Sequence, residues 1–267
     1  MRYQASLSRI KLTAITLLSG CFMMASEIHA SSVGLGIGRS VEFPGSSDYT
    51  FVPFASFEIE TGIGTFKNNR LGVELDLVKS GAFDTGPILR ANFGRDDSVS
   101  DPVVAALPVI DAAAEIGWFV GSGVQLKRLG LNTNSIVIGS LEAVTDAGDG
   151  HGGTYVSASI GLVMPITEQF RVVPSFTFNY ADEKYTQSFY GVNSSNATPE
   201  GLTEFNASGG LESTQFALVV IRGINEKWSL TGVFAQNFLQ GDAASSPITK
   251  RGSDENSFAG FTVNYQF

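Results

Sequence analysis

From Phe170 to Tyr180 the chain alternates strictly. Phe170, Val172, Pro174, Phe176, Phe178 and Tyr180 fall on one face, and Arg171, Val173, Ser175, Thr177 and Asn179 fall on the other. A period of two belongs to a β-strand, whose successive side chains point to opposite sides of the sheet. The segment from Trp228 repeats the pattern less cleanly, setting Trp228, Leu230, Phe234 and Phe238 against Ser229, Thr231, Ala235 and Asn237. The last segment sets Ala259, Phe261, Val263, Tyr265 and Phe267 against Gly260, Thr262, Asn264 and Gln266. Alternating segments of roughly ten residues separated by turns are the signature of transmembrane barrel strands. No run beyond residue 30 approaches the roughly twenty apolar residues of a membrane-spanning helix. A closed barrel crosses a bilayer by the other route, pairing every backbone group between strands.

Alternation also suits a soluble sandwich, whose apolar face looks inward. Three features favour the membrane. Aromatic residues stand at both ends of a strand, as at Trp228 and Phe238, where interfacial girdles belong. The polar faces carry Ser, Thr, Asn, Gln and Gly, unlike the Lys- and Glu-rich surface of a soluble protein. Connection lengths alternate as well: 240–257 is long and polar, 223–226 tight, 182–208 long, 165–168 tight, 146–153 a Gly/Asp loop and 95–110 long. Barrels of the outer membrane have short periplasmic turns and longer outer loops. The expected fold is therefore an all-β, antiparallel up-and-down barrel with both termini in the periplasm. Its strands are expected at 32–41, 50–58, 62–67, 70–78, 85–95, 111–121, 133–145, 153–164, 169–182, 210–222, 226–238 and 257–267. A single bent strand across 59–70 is the alternative and leads to a ten-stranded barrel.

The N-terminus reads differently. Arg2, Arg9 and Lys11 precede an apolar run from Leu12 to Ala25, and Ile28-His29-Ala30 precedes Ser31-Ser32. That order describes a secretory signal peptide over 1–30, cut after Ala30, leaving one barrel domain over 31–267. Leu18-Ser19-Gly20-Cys21 offers a lipoprotein cut at Cys21 instead, although the apolar run continues past it. Cys21 is the only cysteine, so the expected mature chain folds without disulfides. The formal net charge of −9 argues against nucleic acid as a partner.

Several residue groups, in order, resemble one family. They are Gly34–Thr50 with Pro44-Gly45-Ser46-Ser47-Asp48 inside it, Gly86-Pro87 before a strand ending in Gly94-Arg95, and Ala114-Glu115-Ile116-Gly117. Gly150-His151-Gly152-Gly153 follows, then Tyr180–Tyr185 leading to Phe189-Tyr190-Gly191-Val192, then Ser246-Pro247-Ile248 and the Phe267 strand. Together they resemble the MipA/OmpV family of outer-membrane proteins over the whole expected mature chain. Phe43 stands where the family usually has Tyr before Pro-Gly-Ser, and Ala244-Ser245-Ser246-Pro247 where Asp-Ser-Pro is common. The resemblance implies a non-enzymatic barrel of the Gram-negative outer membrane, without cofactors. One member is a scaffold for a lytic transglycosylase and a murein synthase, while others are porin-like or adhesive. A scaffold linked to murein-enzyme assembly is the reading carried forward, with a small channel for polar solutes or a surface adhesin as alternatives.

Few residues invite chemistry. His151, the only histidine after residue 30, sits in a glycine-rich loop. It could serve as a catalytic base, but no second histidine or nucleophile motif accompanies it, and a metal site needs more ligands. Arg90, Arg95, Glu115, Lys127 and Arg128 lie on or near strands. A charge facing lipid costs about 2–4 kcal/mol near the midplane, so Arg90 is expected inside the barrel. There, Arg90, Arg95 and Glu115 form either a selectivity ring or a salt-bridged plug. Tyr185 and Tyr190, in the longest loop, either contact a partner or fold over the mouth. Phe261, Val263, Tyr265 and Phe267 look like the signal read by the barrel assembly machinery through strand addition. Outer-membrane lipid completes the expected set of partners.

Overall fold

The computed structural model describes residues 31–78, 83–197 and 201–267. The proposed signal peptide and Cys21 lie outside them. The chain forms one closed antiparallel barrel of twelve strands in meander order. The strands are β1 (Ser32–Val41), β2 (Tyr49–Glu60), β3 (Thr65–Asn69), β4 (Gly72–Asp76), β5 (Phe83–Asn92), β6 (Ala113–Gln125), β7 (Ile136–Asp146), β8 (Thr154–Thr167), β9 (Phe170–Ala181), β10 (Gly210–Gly223), β11 (Trp228–Leu239) and β12 (Glu255–Gln266). β12 pairs with β1 from Arg39↔Ala259 to Ser32↔Gln266 and closes the wall.

Which face looks out decides what solvent the barrel is built for. On β9, Phe178 and Tyr180 are 50% and 54% exposed, while Thr177 and Asn179 between them are 1% and 2% exposed. On β12, Phe261 and Val263 face out and Thr262 and Asn256 are buried. Leu35 and Phe51, on neighbouring strands, are among the most exposed side chains. Apolar outside and polar inside inverts the soluble sandwich and suits a wall bathed in hydrocarbon. No helix among the described residues is long and apolar enough to cross a membrane.

The doubtful stretch at 59–70 holds the end of β2 and a short strand of its own, β3. β3 and β4 form a hairpin closed by Asn69↔Gly72, so the count is twelve rather than ten. Arg70 at its tip has φ 49°, the one positive φ outside glycine among the described residues. Elsewhere the boundaries move by a few residues. β6 continues to Gln125 and enters a 3-10 turn over Leu126–Leu129, and β7 starts only at Ile136.

The connections sort onto two ends. Among the described residues, 61–64, 77–78, 126–135, 168–169 and 224–227 lie at the end that holds both strand termini of the barrel; 42–48, 70–71, 93–112, 147–153, 182–197, 201–209 and 240–254 lie at the other. The longer connections fold inward over the mouth. They carry α1 (Pro102–Ala105), α2 (Glu183–Tyr190), α3 (Gly241–Ser245) and α4 (Pro247–Arg251). Phe43, Val99, Val104, Leu107, Val192, Leu202 and Ile248 form an apolar cluster that binds these loops together.

Candidate functional site: the filled barrel interior and its lid

The interior is built in layers. Ile138, Val163, Val173, Ala217, Val219, Val233, Ala235 and Phe258 belong to one buried apolar cluster with Val41 and Val52. An inner face of uncharged polar residues was the expectation, and on β7 to β11 it is only partly so. The reason is visible in the sequence: pairs such as Val172-Val173 and Val219-Val220 put apolar side chains on both faces, so alternation is blunted where the wall and the filling are both dry.

Beside this layer lies a buried ionic network anchored on four strands and the hairpin tip. Asn69 Nδ2 donates to Glu74 Oε2 and to Glu142 Oε2, each at 3.0 Å. Arg70 Nη2 lies 3.3 Å from Glu142 Oε1 and 3.1 Å from Ser157 Oγ, with its guanidinium 5.1 Å over the Tyr155 ring. Arg90 reaches Glu142 Oε1 at 3.6 Å and donates through Nε to Glu115. Glu115 also accepts from Asn92 Nδ2 at 3.0 Å and contacts His151 Nε2 at 2.9 Å. The Gly153 N–H donates to His151 Nδ1 at 3.1 Å, which leaves the ring proton on Nε2, directed at Glu115. Both imidazole nitrogens are thus engaged, and the ring is 5% exposed.

The lid closes over this network. Asp182 caps α2, accepting from the Tyr185 N–H at 2.9 Å, and its other oxygen accepts from the Thr154 N–H at 2.9 Å. That cap fixes the helix at the rim. Tyr185 then meets the His151 ring edge-on and Phe189 at a tilt, with ring centroids 5.0 and 5.8 Å away, and Tyr185 lies 5.1 Å from Tyr155. Tyr190 OH donates to Glu212, and Ser246 Oγ donates to the Tyr190 carbonyl at 2.6 Å. Arg95 Nη1 donates to the Phe189 carbonyl at 3.0 Å. Burial in this loop pulls the Arg95 guanidinium down to about 10, still charged at neutral pH. Tyr185 and Tyr190, 2% and 0% exposed, are part of the lid packing. Of the two arrangements expected for this loop, folding over the mouth is the one present.

Arg90, Glu115, His151, Tyr185 and Tyr190 therefore meet in one assembly, with Arg95 at its edge. Lys127 and Arg128 do not join them; they are exposed in the turn between β6 and β7. Sequence reasoning missed Arg70, Glu142 and Glu212. The rule that placed Arg90 inside applies equally to Glu142 and Glu212, since a carboxylate on a membrane strand must also face in. Glu212 needs one step more: a register shift between Leu211 and Ser213 turns both Glu212 and Ser213 inward. Arg70 gave no signal beyond its place in a turn.

A closed antiparallel barrel with an apolar outer belt and a partly polar, ion-paired interior defines a class, the outer-membrane β-barrel proteins. Within it the assignment is direct. Residues 33–267 match the model of the family described as MltA-interacting protein MipA, and the chain belongs to that family. No curated protein matches the chain. Among solved structures, the NanC porin aligns over 88% of this chain and 100% of its own at 11% identity, with a TM-score of 0.46. The outer-membrane channel DcaP of Acinetobacter baumannii aligns over 89% and 96% at 9% identity, with a TM-score of 0.40.

Proposed function

We propose that this barrel is a non-enzymatic scaffold of the outer membrane that docks a murein-cleaving transglycosylase, the partner type named in the family's description. The observation that carries this reading is the filled interior: an apolar layer, a charge-paired layer and a helical lid occupy the space a conducting barrel would keep wet. His151 has both nitrogens engaged within the network, which supports a packing role for it over that of a base. The longer, helix-bearing loops favour an outward-facing mouth, so the end holding both termini faces the periplasm.

A docking surface is available at that end. The 126–135 connection is the longest there, and its 3-10 turn is braced by the Leu126 N–H donating to the Ser135 carbonyl at 2.9 Å. It presents Lys127, Arg128, Leu129 and Leu131 to solvent, with no Asp or Glu between Glu115 and Glu142. A cationic, apolar knob on an acidic protein suits an acidic-rimmed groove on a partner. A murein synthase in the same assembly follows from the resemblance alone. At the other end of biogenesis, Phe261, Val263, Tyr265 and Phe267 on the closing strand serve as the assembly signal.

The test is direct binding of the purified barrel, in lipid nanodiscs, to the purified transglycosylase. Saturable binding absent from an unrelated barrel supports docking, and a Lys127→Glu/Arg128→Glu variant weakens it by about tenfold, the order expected for losing two rim charges. Binding no better than the unrelated barrel's would remove the proposal.

A further inference from the structure

The β3–β4 hairpin is too short for the wall it belongs to. Its strands have five residues each, whereas the other ten have 10 to 14. β2 pairs with β1 from Tyr49 to Glu58 but with β3 only over Glu58–Glu60. In that register Asn69, the last residue of β3, stands level with Ser56. The stretch Tyr49–Ala55 therefore has a strand on one side only. On the other side β4 pairs with β5 at Ile88–Arg90, and the backbone bonds Leu77 N–H to Thr85 and Ala91 N–H to Leu71 carry that contact to within one residue of the mouth end of β5. The notch therefore lies beside the mouth-side half of β2, above the hairpin tip, because β2 runs further toward the mouth than β5 does. Pro53, at the middle of the unpaired stretch, brings no N–H to the ladder, and in sheets proline is a residue of edge strands.

The outer surface is indented next to the hairpin, from β3 onward. A groove of about 990 Å³ crosses β3 to β8. Phe66, Val73, Leu75, Leu89 and Trp118 form its sides, and Ala143 leaves its floor low. Trp118 is held upright by its Nε1–H, which donates to Thr85 Oγ1 at 2.9 Å. The polar side chains in the lining, Thr145 and Thr154, stand together, and Thr154 Oγ1 donates to Thr145 Oγ1 at 3.2 Å.

We propose that this groove binds an acyl chain of a membrane lipid, whose polar end reaches the notch. The occupant must be apolar along its length, because the lining offers it no free polar partner. It must come from the hydrocarbon, because the groove opens on the lipid face. At the notch, the edge of β2 over Tyr49–Ala55 has no strand neighbour, and it stands level with the exposed Arg39, whose guanidinium lies 3.8 Å over the Tyr49 ring, as suits the layer of lipid headgroups. Lipid ester and headgroup oxygens accept from backbone N–H groups. A second copy of the chain fits less well, since the convex wall of one barrel cannot fill the concave wall of another.

The two tryptophans give a built-in test. Trp228→Phe leaves Trp118 in the groove as the only reporter, and Trp118→Phe leaves Trp228 on β11 as the control. Each variant is reconstituted in phosphatidylcholine brominated along its acyl chains, then extracted into detergent. Trp118 fluorescence stays quenched through extraction while Trp228 recovers, and native mass spectrometry finds one retained brominated lipid. Ala143→Phe fills the floor and abolishes the retention; Ala143→Leu gives the same reading should the larger side chain impair folding. Equal recovery at both tryptophans, or retention untouched by filling the groove, overturns the proposal. So does a Trp118 environment protected by dimerisation, read as a doubled mass without lipid.

Discussion

Arg90 shows how far one residue's chemistry reaches. Its ion pairs with Glu115 and Glu142 are fully enclosed, with side-chain exposures of 5%, 1% and 5%. A buried pair adds little net stability over a packed apolar substitute, but deleting one partner leaves the other charge stranded. Arg90→Ala is therefore expected to destabilise the barrel by about 3–5 kcal/mol, read by urea unfolding in lipid vesicles. The double change Arg90→Leu/Glu115→Leu should cost clearly less than the single one. Equal costs would show that the charges are not coupled. For His151→Ala the expected cost is about 1–3 kcal/mol, that of one buried hydrogen bond left unmade at Glu115, with hydrogen exchange rising in 147–153. At this scale the sequence was partly legible. Arg90 and Glu115 were found because charge on a membrane strand has only one place to go. Glu142 obeys the same rule and was missed because its neighbours, Leu141 and Ala143, read as an ordinary apolar strand.

Among the elements, strands were the most readable and the lid the least. Nine or more residues of alternation announce a strand, whereas 183–190 offers a helix of two turns whose reason for folding is tertiary. Its cap, Asp182, is the testable part: Asp182→Ala removes acceptors for the Tyr185 and Thr154 N–H groups and should cost about 0.5–2 kcal/mol, with the lid amides exchanging faster than the wall. α1 carries a pH-dependent tether. Partial burial would raise the Asp101 carboxyl, but Arg251 and the N–H groups of Val103 and Val104 outweigh it and hold it below the usual range. A carboxyl depressed in the folded state contributes stability above its unfolded value, near pH 3.9, and loses it as pH falls through the lower folded value. Exchange at Val103 and Val104, corrected for its intrinsic rate, should be flat from neutral pH down to about pH 4 and climb below it. Asp101→Asn, which has no carboxyl to titrate, should exchange faster at neutral pH already and show no step on acidification. A profile shared by wild type and variant would mean that the ion pair does not hold the loop. The short hairpin was visible in the sequence only as an ambiguity at 59–70, because five-residue strands carry too few alternations to register.

For the molecule as a whole, the barrel and its strand count followed from alternation and loop lengths, since closure with both ends on one side requires an even number of strands. What filled the barrel did not follow. Which loops fold inward depends on contacts such as Tyr190 with Glu212 and Ser246 with the Tyr190 carbonyl, made between segments far apart in sequence. The filling separates a scaffold from a channel, and planar-bilayer recording of the purified wild-type barrel tests it most directly. Insertion without steady current, from a preparation whose heat-modifiable migration shows it folded, is the predicted result. A stable ohmic conductance in the wild type, altered in size or ion preference by Arg90→Ala, would contradict it.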